Sequence, residues 1–91
     1  MSLDGVWPEW QVRADGLHIA MRFANFDTVQ GFISEIMAWA QRNDHHPDVS
    51  FGYAQATVTW FSHDACAITE RDHRAARATQ QLMTTWGATA I

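Results

Sequence analysis

Between positions 17 and 23 apolar and polar residues alternate: Leu17, Ile19, Met21 and Phe23 fall on one face of an extended chain, His18 and Arg22 on the other. A period of two is the signature of a strand with one buried face. Asp15-Gly16 stands just before this run and Trp10-Gln11-Val12-Arg13 before that, which predicts a hairpin, because Asp-Gly between alternating segments favours a tight turn. The period then changes. Val29, Phe32, Ile33, Ile36, Met37 and Ala40 recur every three or four residues, predicting a helix with one apolar stripe that runs to about Arg42. Asp27, with Gln30 three residues later, is its expected cap.

Pro47 and the residue before it disfavour helix, so Asn43-Asp44-His45-His46-Pro47-Asp48 reads as a polar turn back into extended chain. From Ser50 to Ser62 the β-branched and aromatic residues predict two strands broken near Gln55, with one long bent strand as the alternative. Thr69-Glu70-Arg71-Asp72 predicts a second helix start, with Ala75, Ala76, Thr79, Leu82, Met83 and Trp86 facing inward and Gly87 as the stop. The order β-β-α-β-β-α, without repeat or linker, predicts an α+β fold: a four-stranded antiparallel sheet with two helices packed on one face, one domain over residues 1–91.

At 91 residues, 47% hydrophobic and 18% charged, the chain is too apolar to be disordered and too short for separate cofactor and substrate domains. Five Trp, five Phe and one Tyr are more aromatic surface than one small core readily hides, so a homodimer or homotetramer is expected. A net charge of −4, with the basic residues scattered, argues against a nucleic-acid partner. No apolar run is long enough to span a membrane, and the start, Met-Ser-Leu-Asp, lacks the pattern of a secretory signal. A single cysteine, Cys66, fits a reducing compartment, so a cytoplasmic location is expected.

Titratable side chains concentrate in two segments: Asp44, His45, His46 and Asp48 after the first helix, and His63, Asp64, Asp72 and His73 after the last predicted strand. If the two central strands form a hairpin, both segments lie at one end of the sheet and form one pocket. Imidazoles, whose unperturbed pKa is ~6.5, suit proton transfer near neutrality. Taken singly, each residue also has a plainer reading. His45-His46-Pro47 is compatible with a solvated turn, His63 with a strand end, Asp72 with a carboxylate at a helix N-terminus, and Asp48 and Asp64 with loop charges. Three histidines and several carboxylates could in principle hold zinc or iron, but adjacent His45 and His46 diverge and paired spacings such as His-x-x-x-His are missing, so no metal is expected. Cys66 has no evident activating partner.

Taken together, His45-His46-Pro47, Tyr53, Ser62-His63-Asp64 and Ile68-Thr69-Glu70-Arg71-Asp72 resemble, in order and spacing, the pterin-4a-carbinolamine dehydratases, also called 4a-hydroxytetrahydrobiopterin dehydratases. The likeness runs from about Trp10 into the second helix and includes Phe23-Ala24-Asn25-Phe26-Asp27. It implies a lyase that dehydrates 4a-hydroxytetrahydrobiopterin to the quinonoid dihydropterin in tetrahydropterin recycling, a small-molecule pterin substrate, no cofactor and a homo-oligomer. By motif position it implies His45, His46 and His63 as catalytic, with Asp44, His46, Ser62, Asp72 and Gln41 around the substrate. Two positions depart from the family pattern: Gln41 stands where the family has Glu or another titratable residue, and Val49 where it often has an aromatic. These departures leave an alternative, a non-catalytic pterin-binding or protein-interaction module of the same fold.

Overall fold

The computed structural model describes residues 9–91; the reading of Met-Ser-Leu-Asp as no secretory signal lies outside them. Along the chain run β1 (Gln11–Arg13), β2 (Gly16–Arg22), α1 (Phe26–Asn43), β3 (Asp48–Phe51), β4 (Gln55–Trp60), α2 (Glu70–Thr85) and β5 (Thr89–Ala90). The strands form one antiparallel sheet in the order β1-β2-β4-β3, and β5 pairs with β2. The fold is α+β, and the preferred pair of central strands is present as the β3–β4 hairpin.

The alternation of β2 places Leu17, Ile19, Met21 and Phe23 in the core, where Ala56, Val58 and Trp60 of β4 meet them. Both helices close over that face. Val29, Phe32, Ile33, Ile36 and Ala40 come from α1, and Ala75, Ala76, Thr79 and Met83 from α2. Gly31 lets the helices approach closely, since a Cβ there would lie 2.2 Å from the Trp86 ring. The Trp86 indole then donates to Glu35 Oε2 at 2.6 Å. Among the described residues, no helix is long and apolar enough to cross a membrane.

Three sequence expectations need correction. The cap of α1 is Asn25, not Asp27: Asn25 Oδ1 accepts the Thr28 N–H at 3.0 Å, while Asp27 sits inside the first turn where its charge meets the helix dipole. Met37 leaves the buried stripe and is 55% exposed, because the stripe curves toward the side occupied by Ile33, Ile36 and Ala40. Finally, a fifth strand follows α2. Gly87, at φ 70°, turns the chain so that Ala90 and Thr89 pair with Met21 and Arg22, on the stretch of the β2 edge beyond the end of β1. Val12, Phe51, Tyr53 and Ile91 are also exposed.

The first hairpin turns at Ala14 and Asp15, and Gly16 pairs with Arg13 as the first residue of β2. Its φ of +132° is open to glycine alone, and a Cβ at this position would stand 2.3 Å from the Trp60 carbonyl oxygen. The glycine therefore seats the first hairpin against the end of β4. Gly16→Ala is expected to lower unfolding stability by about 1–3 kcal/mol, combining backbone strain with a clash against main chain. A urea melt that overlays wild type would show that β2 can start elsewhere.

Candidate active site

The β3–β4 hairpin places the segment before β3 and the segment after β4 at one end of the sheet. Helix α1 stops at Asp44, whose left-handed backbone (φ 49°, ψ 45°) turns the chain while its N–H bonds the Ala40 carbonyl. Asp is among the few non-glycine residues that enter this region readily. The turn sends His45 inward and leaves His46 exposed. Beyond β4, Ser62 and Ala67 pair across a small closed loop, with reciprocal N–H···O bonds of 3.3 Å, and this loop carries His63 and Asp64 outward. The outcome is an open cleft of about 330 Å³ lined by Asp44, His45, His46, Phe61, His63, Asp64 and Arg71.

Behind the cleft lies a network centred on Asp72, which is wholly buried. Oδ1 of Asp72 pairs with His45 Nε2 at 2.7 Å; Oδ2 accepts the Ser62 hydroxyl at 2.7 Å and the Thr69 backbone N–H at 2.8 Å. An ionised carboxylate only accepts, so Nε2 of His45 carries the proton and Nδ1 is left as its other polar atom. Because the Ser62 proton goes to Asp72, the 2.7 Å contact between Ser62 Oγ and Thr69 Oγ1 has Thr69 as donor. Thr69 is at the same time the N-cap of α2, and with Asp72 it completes a capping box. One carboxylate thus starts a helix and fixes an imidazole.

The His45 ring also stacks on Trp60, with centroids 5.4 Å apart and planes at 24°. Trp60 is itself held, because its indole N–H donates to Thr79 Oγ1 at 2.9 Å and Trp39 packs edge-on against it. His46 Nε2 meets Gln41 Oε1 at 3.1 Å, so Gln41, on the last turn of α1, addresses His46. His63 is exposed and packs perpendicular to Phe61, with centroids 5.0 Å apart and planes at 76°. On the rim, Arg71 donates to Asp64 at 2.6 Å, and this bond holds the Asp64 carboxyl below the usual carboxylate range.

The structure therefore brings Asp44, His45, His46 and His63 to the cleft wall, places Gln41 beside His46, and withdraws Ser62 and Asp72 behind His45. Asp72, which the sequence reads as a carboxylate at a helix N-terminus, caps the helix start and also holds His45. Sequence reasoning passed over Phe61 and Arg71, and it treated Asp64 as a loop charge. The usable signal was the seven-residue separation of Asp64 and Arg71 across a loop that ends at a helix cap. His18 lies elsewhere, its Nδ1 2.9 Å from Thr59 Oγ1, and its pKa is lowered by burial and then by Arg13. Among the described residues, no group of three or more His, Cys, Asp or Glu side chains is placed to hold a metal ion.

An α+β domain with a histidine-lined cleft at one sheet end defines a class, and comparison with known proteins specifies it. The profile of the family described as "Pterin 4 alpha carbinolamine dehydratase" matches residues 2–82. A Novosphingobium aromaticivorans protein named "Putative pterin-4-alpha-carbinolamine dehydratase" is 38% identical over 78 residues, covering 84% of this chain and 81% of its own. A Bordetella avium protein of the same name is 34% identical over 89 residues, covering 96% and 82%. The crystal structure of a "transcriptional coactivator/pterin dehydratase" from Brucella melitensis is similar at a TM-score of 0.78 and 27% identity, over 82% of each chain. The chain belongs to the pterin-4a-carbinolamine dehydratase family.

Asp72→Ala removes the acceptor of two buried donors and one arm of the α2 cap. Each stranded donor costs about 1–3 kcal/mol and a lost cap about 1 kcal/mol, so the expected loss of stability is about 3 kcal/mol or more. Chemical unfolding measures it, and a loss below about 1 kcal/mol would contradict the network as described.

Proposed function

We propose that this protein dehydrates a 4a-hydroxytetrahydropterin to the quinonoid dihydropterin by general acid and base catalysis from its own histidines, with His45 and His63 as the pair. The observation that carries the reading is the pairing of His45 Nε2 with buried Asp72 at 2.7 Å. A carboxylate on one ring nitrogen holds the proton there, leaves the lone pair on Nδ1 and stabilises the imidazolium that forms when Nδ1 takes a proton. In the reaction, Nδ1 of His45 removes the proton of the pterin ring nitrogen. The electron pair left behind forms the C=N bond as the neighbouring C–O bond breaks, and protonated His63 delivers a proton to the departing hydroxide, giving water. His46, exposed and bonded to Gln41, orients the ring, with Asp44 at the rim.

Removal of one positioned acid or base costs roughly 10²- to 10⁴-fold. His45 is buried against Asp72, so His45→Gln, which retains a donor for the carboxylate, is the cleaner variant; it and His63→Ala should each lower kcat within that range. His46→Ala should act mainly on KM. The double variant of His45 and His63 should fall short of the product of the single effects, because the two act as one unit. A dehydratase assay on the purified protein, run with and without a chelator, measures all of this; either single variant within about threefold of wild type, while still folded, removes the assignment.

Gln41→Glu supplies a test with a sign. A carboxylate 3.1 Å from His46 Nε2 favours imidazolium and so extends the protonated form to higher pH. The pH profile of kcat/KM should move toward higher pH, and an unmoved profile means that position 41 is not coupled to the reaction.

A second reading, a pterin-binding or protein-interaction module that does not turn over, is favoured by Gln41 and Val49 and by the coactivator role in the name of the Brucella melitensis protein. Pterin binding without turnover in the same assay would select it.

A further inference from the structure

Six of the seven side chains that line the cleft are ionisable or charged, and the seventh is Phe61. A pterin is a flat bicyclic ring with polar edges and two π faces. Histidines, Asp44, Asp64 and Arg71 can address its edges, but a ring face dehydrates favourably only against an apolar or aromatic surface. Val49, at the position where an aromatic would be expected, is aliphatic and half-buried, with its pairing partner in β4 at Val58. Phe61 directly follows β4, is half-buried and turns part of its ring to the cleft.

We propose that Phe61 is the residue on which the pterin ring stacks, and hence the specificity-determining contact of this cleft for planar bicyclic substrates. The inference rests on the dehydratase reading above and deepens it. Its strongest support is angular. Phe61 and His63 stand at 76° to one another with centroids 5.0 Å apart. A ring stacked parallel to Phe61 therefore lies nearly perpendicular to the His63 imidazole. The ring N–H of His63 lies in the imidazole plane, and that plane contains a direction close to the normal of a pterin so stacked, so a donor in it has an approach from off the pterin plane. That direction is the one the chemistry requires. The carbon bearing the hydroxyl is tetrahedral, and its C–O bond must stand off the ring plane for the nitrogen electron pair to form the new C=N bond as hydroxide leaves.

The backbone under Phe61 is held for this task. Gly16 brings the first hairpin so close that a Cβ at position 16 would touch the Trp60 carbonyl and lie 3.1 Å from Phe61 Cβ. On the other side, Ser62 is locked by Asp72 and Thr69.

The test uses the intact protein, with 4a-hydroxytetrahydrobiopterin as substrate and 7,8-dihydrobiopterin as a stable binding probe. Phe61→Leu keeps nearly the same apolar volume and removes the π face. Stacking of a heterocycle on an aromatic side chain is worth about a tenfold change in affinity, so KM and the probe Kd should each rise about tenfold while kcat stays within about threefold. Phe61→Tyr and Phe61→Trp should restore both constants. Wild type should also show intermolecular NOEs from a phenylalanine ring to the bound probe, a readout that stands even where Phe61→Leu fails to fold, and their absence overturns the proposal. A fall in kcat with KM unchanged would mean that Phe61 acts only by positioning His63, and KM and Kd unmoved in Phe61→Leu would mean that it does not touch the ring; either result overturns the stacking role while wild-type turnover leaves the dehydratase reading standing. Wild type that neither binds the probe nor turns over the substrate removes both.

Discussion

A carboxylate withdrawn wholly from water must be satisfied on both oxygens, because a buried charge without partners costs several kcal/mol. Asp72 meets that demand with three donors drawn from different parts of the chain: His45 from the turn after α1, Ser62 from the end of β4, and the N–H of Thr69 at the start of α2. The three segments can reach one carboxylate only if the β3–β4 hairpin has formed and α2 begins where it does. Local order at the helix cap, tertiary order at the sheet end and the orientation of one imidazole are therefore a single condition. A half-satisfied version of this network would be worse than an apolar core, which gives it specificity as well as strength.

The same economy appears in the layer beneath. Trp60 is the largest of the fully buried side chains, and it supports the His45 ring from below while bonding Thr79 on α2. An indole in a core needs a partner for its N–H, and here that partner is a helix hydroxyl that also bonds the Ala75 carbonyl. The His45 ring is thus bracketed by the Trp60 face on one side and the Asp72 carboxylate at one edge. His63 has neither bracket. It sits exposed on the closed loop between Ser62 and Ala67, edge-on to Phe61. Two imidazoles of one residue type thereby stand in unlike surroundings, a difference on which the proposed division into acid and base draws.

The elements were legible in the sequence where periodicity was long or punctuation strong. The alternation of Leu17, Ile19, Met21 and Phe23 and the stripe from Val29 to Ala40 each repeat often enough to declare a buried face, and Thr69 with Asp72 declares a cap three residues apart. Asn25 was hidden because Asp27 offered the same chemistry two residues later, and side-chain reach to Thr28 decided between them. β5 was unreadable: two residues cannot show a period, and Thr89 and Ala90 are strand only because β2 has a free edge there. Within the site, the convergence of His45, His46 and His63 followed from hairpin topology, whereas the choice of His45 as Asp72's partner depended on the left-handed turn at Asp44, which no short-range pattern encodes.

The openness of the cleft fits the proposed chemistry. Many active sites close to exclude water because a reactive intermediate or a developing charge would be lost to it. In the proposed reaction the leaving group becomes water, and the proton removed from the ring nitrogen is matched by the proton given to hydroxide, so no net charge builds on the substrate. The proposed substrate is uncharged at its ring, so a net charge of −4 on the protein would do little to steer it. Binding then has to come from ring faces and edges, not from long-range attraction. Under that proposal a cleft lined mostly by ionisable groups relies on Phe61 for its apolar surface, while at the rim Arg71 and Asp64 are paired with each other at 2.6 Å.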